Sequence, residues 1–194
     1  MSQPVMELFQ QTGAYLKGHF RLTSGLHSGE YLQCAKVLAF PAYAQEFGQQ
    51  LANQLRPLLP KAPSLVVSPA IGGIVIGHEV ARALGTRAFF TERNSATNTM
   101  LLRRGFEVSP AEPVVVIEDV ITTGGSTRDV IQALQTAGAD VLAAASIIDR
   151  SGGEADVGMP RVALQTFHPI TYDPADCPLC RAGTPIVKPG SRAV

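Results

Sequence analysis

Apolar residues along this chain recur with two different periods, and the points where the period changes divide it into alternating helices and strands. Met6, Leu8, Phe9 and Tyr15 predict a first helix that stops near Gly18. Over 18–34 apolar and polar positions alternate around Ser24-Gly25-Leu26-His27-Ser28-Gly29, which predicts two strands of a small antiparallel flap. Pro41 opens the next helix in the position proline prefers; Tyr43, Phe47, Leu51 and Leu55 follow at helical spacing, and Pro57 and Pro60 stop it. From Leu65 the pattern becomes βαβ: a strand over 65–68, a turn over 69–73, a helix to Leu84 with Gly85 as its C-cap, and a strand over 87–90. A second unit holds a strand over 114–117, a helix over 126–137 and a strand over 141–148. Right-handed crossovers turn such units into an α/β fold, a twisted, mostly parallel sheet flanked by helices. The segment 18–40 is expected to form an antiparallel hood over the carboxyl ends of the strands, within one domain spanning 1–194.

The run Val114-Val-Val-Ile-Glu-Asp-Val-Ile-Thr-Thr-Gly-Gly-Ser-Thr127 carries the densest chemistry. Its apolar, β-branched start reads as a central strand covered on both faces, and Glu118 and Asp119 are expected to end that strand at the edge where open α/β sheets bind ligands. Val120 and Ile121 lead into Thr122, Thr123, Gly124, Gly125 and Ser126, a small-residue loop before the helix Val130, Ile131, Leu134. Unpaired N–H groups and the positive end of the helix dipole suit this loop to a phosphate. The two carboxylates would repel that phosphate. Their expected roles are accepting hydrogen bonds from ribose hydroxyls and facing a developing cation or a metal. No Gly-x-x-x-x-Gly-Lys-[Ser/Thr] and no Gly-x-Gly-x-x-Gly is present, which argues against a P-loop nucleotidase and an ordinary dinucleotide fold.

Composition narrows the partners. With 194 residues and 45% hydrophobic content the chain can bury a real core. Its 16 basic and 16 acidic side chains cancel, leaving no electrostatic case for nucleic acid. Neither a secretory signal nor a stretch long enough for a membrane span is visible, and three cysteines suit a reducing compartment, so a cytoplasmic location is expected.

Four further clusters stand at predicted strand ends or in the tail. Pro69-Ala-Ile-Gly-Gly-Ile74 could let backbone approach a ligand such as pyrophosphate, or simply make a tight turn. Residues 91–105 read as a strand pair with a mobile tip, Asn94 to Thr99, and a flexible lid there would bring Arg93, Arg103 and Arg104 to a diphosphate. At Asp149-Arg150 the guanidinium suits a planar carboxylate, unless the two residues only pair with each other. In the tail, 173–194, Cys177-Pro-Leu-Cys180 has the spacing of half a zinc site. The other ligands in view, Cys34, His19, His27, His78 and His168, are distant in sequence, so reduced thiols are expected, with completion of a site across a dimer as the alternative. Lys188-Pro-Gly-Ser-Arg192 is open to either the surface or a neighbouring subunit.

Taken in order, Phe20-Arg-Leu-Thr-Ser-Gly-Leu-His-Ser-Gly-Glu-Tyr31, Ser68-Pro-Ala-Ile-Gly-Gly-Ile74, Glu118 to Thr127 and Ile148-Asp-Arg150 resemble the orotate phosphoribosyltransferases, of the type I phosphoribosyltransferase superfamily. The resemblance implies transfer of the phosphoribosyl group of phosphoribosyl diphosphate to orotate, with magnesium held through substrate oxygens and water and not by a dedicated protein cage. It assigns Glu118 to Ser126 to phosphoribosyl diphosphate, with Glu118 and Asp119 catalytic, and Thr122 and Arg150 to orotate. It also implies a homodimer. Three positions depart from the family pattern: Thr23 and the pair Ile71-Gly72 stand where many members have lysine and an aromatic-lysine pair, and Asn94 to Thr99 replaces a lid with lysines and a histidine. Two other readings are a regulator sensing phosphoribosyl diphosphate on the same fold, which the absence of a basic face disfavours, and a purine phosphoribosyltransferase, which Arg150 disfavours.

Overall fold

A computed structural model describes residues 4–189 and groups them in two compact units, one formed by residues 40–167 and the other by the two chain ends, up to Ala39 and from His168. Residues 1–3 and 190–194, and with them Gly190, Ser191 and Arg192 of the tail motif, lie outside the described residues.

The larger unit is built on a six-stranded sheet in the order β5-β4-β3-β6-β7-β8. Its strands are β3 (Leu65–Pro69), β4 (Arg87–Arg93), β5 (Met100–Leu102), β6 (Pro113–Ile121), β7 (Asp140–Asp149) and β8 (Arg161–Thr166). Only β5 runs antiparallel, to β4; the other pairs are parallel, as the βαβ pattern predicts. Helices α3 (Pro41–Leu55) and α4 (Gly73–Leu84) pack together, with α4 on β3, β4 and β6; α5 (Gly125–Thr136) packs on β3, β6 and β7. Strand periodicity assigns the faces. Leu65, Val67, Val114 and Val116 meet Val130, Ile131 and Leu134 of α5 in a buried cluster, so the intervening Val66, Val115 and Ile117, also fully buried, face the other layer. Gly85 closes α4 with φ 71°, in the left-handed conformation expected of a C-cap.

The smaller unit holds α1 (Val5–Gln11), α2 (Cys34–Leu38), α6 (Pro178–Arg181) and a three-stranded antiparallel sheet, β1 (Tyr15–Arg21), β2 (His27–Leu32) and β9 (Thr171–Tyr172). The two-stranded flap expected near 18–34 is present as β1 and β2.

Two expectations need correction. The first helix ends at Gln11 and Tyr15 belongs to β1, because Gly13 adopts φ 64° and turns the chain before Tyr15 can extend the helical stripe. The motif strand does not end at Glu118: β6 runs on to Ile121, because β7 continues to pair with it through Val120↔Ile148 and Ile121↔Asp149. On its other side the pairing with β3 has already stopped at Val67↔Val116. The two acids therefore sit on a strand that is laddered on one side only.

Candidate active site

Alternation along β6 sends the two acidic side chains to opposite faces of the sheet. Glu118 points toward α5, where the Thr127 hydroxyl in the first helical turn donates to its Oε2. Asp119 lies against the start of α4. A Cβ added to Gly72 would stand 2.7 Å from Asp119 Oδ2, so only glycine admits this close approach. Gly72 of the 69–74 turn thus makes room for a carboxylate of the chain itself, and Gly73 for the end of β3 and the Ile117 carbonyl. The Ala70–Ile71 peptide bond in that turn is cis, and the Ala70 N–H donates to the Thr91 carbonyl at 2.8 Å.

Both acids are densely surrounded while keeping part of their surface open. Burial is the main influence on Glu118 and raises its pKa to about 7; the Thr127 hydroxyl opposes that rise, the neighbouring Asp119 charge adds to it, and Arg93 opposes it. Burial also raises Asp119 above the usual carboxylate range, against two backbone N–H bonds that favour its charge. A partly protonated Glu118 at neutral pH suits a site that awaits a positively charged or hydroxyl-rich ligand.

The loop after β6 is shaped for an anion. Val120 and Ile121 carry the strand to its end, Thr122 and Thr123 follow half-buried and exposed respectively, and Gly124 holds φ 76° immediately before α5. Gly124 is required twice over. Besides its left-handed backbone, a Cβ there would come within 2.9 Å of Val157 Cγ1 and 3.1 Å of Arg128 Nη1. Gly125, Ser126 and Thr127 follow as the first turn of the helix, whose N–H groups lack intrahelical acceptors. Arg128 braces the loop from outside, donating from Nη1 to the carbonyl oxygens of Thr123, at 3.0 Å, and Asp156.

Thr122 and Arg150 are brought together by the sheet: the Arg150 N–H at the end of β7 donates to the Ile121 carbonyl at 2.8 Å. Asp149 takes its charged partner from elsewhere. Its carboxylate accepts from Arg161 Nη1 at 2.8 Å, from Ser151 and from the Gly153 N–H. The Asp149 carboxylate thus takes its bonds from β8 and the turn that follows β7.

The expected lid is the β4–β5 hairpin. Its tip is closed by Asn94 N–H to Thr99 O and Asn98 N–H to Asn94 O, both 2.8 Å. Arg93 bonds the Asn98 carbonyl at 2.6 Å and Asp129 of α5 at 2.9 Å, while Arg104 forms a two-point pair with Glu92. Arg103 is exposed and lies close enough to lower the pKa of Glu92 further. A cavity of about 470 Å³ opens between this hairpin and α5, lined by Asn98, Met100, Leu102, Asp129 and Thr136 among others, and not by the two acids.

Comparison with known proteins gives this geometry a context. A family profile described as the phosphoribosyl transferase domain matches residues 36–175. The chain is 48% identical over 99% of its length to an orotate phosphoribosyltransferase of Desulforamulus reducens, covering 98% of that protein. It is 50% identical, again over 99% of its length, to one of Heliobacterium modesticaldum, which it covers completely. The chain belongs to the orotate phosphoribosyltransferase family. A crystal structure of the family member from Aeropyrum pernix superposes with a TM-score of 0.69 at 26% identity, over 84% of this chain and 93% of that one.

Within this family frame, sequence reasoning placed Glu118 to Ser126 on one strand-loop-helix unit, as observed, and missed two supporting residues. Thr127 was legible as the last hydroxyl of the motif, but its hold on Glu118 depends on strand alternation that a strand ending at Ile117 does not include. Arg128 follows the motif directly, and nothing in a lone basic residue on a helix marks it as a brace. In the tail, Cys177 and Cys180 are free thiols as expected, but the expectation of too few ligands is corrected, since the distant histidines His19 and His27 lie beside them. The β1–β2 hairpin carries both histidines inward, and β9 and the following turn return the tail to the same place.

Proposed function

We propose that this chain transfers the phosphoribosyl group of 5-phosphoribosyl 1-diphosphate to orotate, releasing orotidine 5'-monophosphate and diphosphate in pyrimidine biosynthesis. The observation that carries this reading is near full-length similarity to orotate phosphoribosyltransferases together with an acid pair set at the mouth of a glycine loop. In the reaction the bond from the anomeric carbon to the diphosphate oxygen breaks, a bond to the orotate ring nitrogen forms, and that nitrogen loses its proton. Amides and hydroxyls of Thr122 to Ser126 receive the 5-phosphate, with the α5 dipole behind them. Glu118 and Asp119 bind the ribose hydroxyls and stabilise the positive charge that grows on the ring as the diphosphate departs. Arg150, with Thr122, selects the orotate carboxylate. Arg93, Arg103 and Arg104 meet the diphosphate once the hairpin exchanges its internal ion pairs for substrate.

Two carboxylates and no larger acidic cluster among the described residues fit magnesium bound chiefly through diphosphate and water oxygens, and magnesium so bound supplies neutralisation of the leaving group. A homodimer and a cytoplasmic location complete the proposal. The zero net charge gives no reason to add nucleic acid as a partner, and no helix among the described residues is long and apolar enough to cross a membrane.

The decisive assay mixes the protein with phosphoribosyl diphosphate and magnesium and follows the ultraviolet absorbance of orotate, with adenine and uracil as controls. Orotate is consumed and the controls are not; consumption of adenine in place of orotate would reject the assignment. Arg150→Ala is expected to weaken orotate use by about tenfold to a hundredfold while barely changing phosphoribosyl diphosphate. Equal losses for both substrates would remove Arg150 from base recognition.

A further inference from the structure

Four side chains that the phosphoribosyl chemistry leaves unused converge in the smaller unit. His19 on β1, His27 on β2, and Cys177 and Cys180 of the tail each offer one donor atom, and the four atoms lie within 4.8 Å of one another. His19 Nε2 is 3.0 Å from His27 Nδ1, 3.6 Å from Cys177 Sγ and 3.7 Å from Cys180 Sγ, and Cys180 Sγ is 3.3 Å from His27 Nδ1. A tetrahedral zinc ion, with bonds of about 2.0–2.1 Å to nitrogen and about 2.3 Å to sulfur, requires edges of roughly 3.3 Å between nitrogens and roughly 3.6 Å between nitrogen and sulfur. The three nitrogen–sulfur separations, 3.3, 3.6 and 3.7 Å, fall about that edge, and the nitrogen–nitrogen separation of 3.0 Å is a little shorter than its edge.

The hydrogen bonding around the cluster argues the same way. His19 Nδ1 lies 2.8 Å from the Thr184 carbonyl, which can only accept, so Nδ1 carries the proton and Nε2 presents a lone pair to the cluster. That lone pair faces His27 Nδ1 and two sulfurs, and it can accept from only one of them at a time. His19, His27 and Cys177 are buried, with at most 7% of their surface exposed, so water is poorly placed to serve these three, while Cys180 closes the cluster from the exposed side. A cation bound to two thiolates and two neutral imidazoles satisfies all four at once, and the carbonyl bond to Nδ1 is the kind that orients a metal-bound imidazole.

The surrounding backbone holds the donors in place. Arg181 N–H bonds the Cys177 carbonyl, Gly183 turns with φ 68°, and the segment beyond docks on β1 by an isolated bridge, through Val187 N–H to His19 O at 2.8 Å and Arg21 N–H to Val187 O at 2.9 Å. His19 and Cys177 are 158 residues apart in sequence, so an ion here joins the two ends of the chain. We propose that His19, His27, Cys177 and Cys180 form a structural zinc site that fastens the C-terminal tail to the β1–β2 hairpin. Four protein ligands close the coordination sphere, which assigns the ion to folding and leaves no open position for substrate. The same histidines bracket the loop over 22–26, so the ion also anchors both ends of that loop.

The test uses the full chain, without a histidine tag, purified under reducing conditions in the absence of chelator, with zinc, iron, copper and nickel measured together. A stoichiometric equivalent of zinc per chain is expected. The double variant Cys177→Ser, Cys180→Ser and the variant His19→Ala are expected to lower zinc retention roughly tenfold or more, while Cys34→Ala keeps it in full. In unaltered protein stripped of metal, added zinc should raise the melting temperature and magnesium should not. Cobalt(II) in place of zinc should give the visible bands of a tetrahedral ion and a thiolate charge-transfer band. Because stripping and reloading use the unaltered chain, misfolding of a variant leaves the question decided. The proposal is overturned if the purified and the reloaded protein both lack stoichiometric zinc, if another metal fills the site, if the double cysteine variant retains zinc, or if Cys177 and Cys180 are joined as a disulfide.

Discussion

Glu118 and Thr127 show how a single hydroxyl tunes a buried acid. Burial lifts Glu118 to a pKa of about 7, and the bond from Thr127 favours the charged form and so opposes that lift. If the ionised form supports turnover, kcat/KM rises with pH through about 7. Thr127→Val removes a hydrogen bond to a charged acceptor, worth about 1.5–3 kcal/mol, and is expected to move that rise upward by about one pH unit or more. A pH profile whose rising limb stays in place in the valine variant would separate Glu118 ionisation from catalysis. The motif made both residues visible as chemistry-bearing, yet their contact depended on which face of β6 each position occupies. That parity was fixed only when β7 was seen to hold the strand in register to Ile121.

Among the elements, the β4–β5 hairpin is where the order of the free protein and the demands of the reaction diverge. Arg93 is engaged by Asp129 and Asn98 and Arg104 by Glu92, and under the proposed reaction these bonds are released before the two side chains meet a diphosphate. The Arg104–Glu92 pair lies in solvent, where screening leaves it weak, and the Arg93–Asp129 pair is only partly buried, so substrate can displace both. Trypsin is expected to cut the free protein at Arg103 or Arg104, and phosphoribosyl diphosphate with orotate to suppress the cut. Cleavage equally fast with and without substrates would describe a loop that takes no part in closure. The hairpin itself was legible from two apolar stretches around six small polar residues, whereas its ion pairs were not. Glu92 and Asp129 look like ordinary surface acids until sheet and helix bring them to the arginines.

At the scale of the whole molecule, buried charge links stability to pH in two opposing ways. Asp149 is buried and bonded to Arg161 and Ser151, and its pKa is lowered: desolvation, the largest influence, is overcome by the hydrogen bonds and by the Arg161 charge. A lowered acid contributes stability that is present above its unfolded pKa and lost as pH falls through the folded value. Glu118 does the reverse: its raised pKa means stability present below the unfolded value of 4.5 and lost as pH rises through about 7. Asp149→Asn is therefore expected to cost roughly 3 kcal/mol in neutral denaturant titrations, and less in acid. An unchanged transition midpoint would show that Arg161 finds other partners at no cost.

The sequence by itself determined the two βαβ units, the glycine loop after an apolar strand, and the placing of the acids and the arginine toward the carboxyl ends of two strands. These are written in short-range patterns, because period, turn residues and motif spacing act over a few neighbouring positions. Tertiary structure alone decided which groups meet across long separations: Asp149 with Arg161 in place of Arg150, Asp119 against Gly72, and two histidines with a cysteine pair from the far end of the chain. Such meetings follow from sheet order and from where each chain end docks. Both are set by packing of the whole, and no local pattern encodes them.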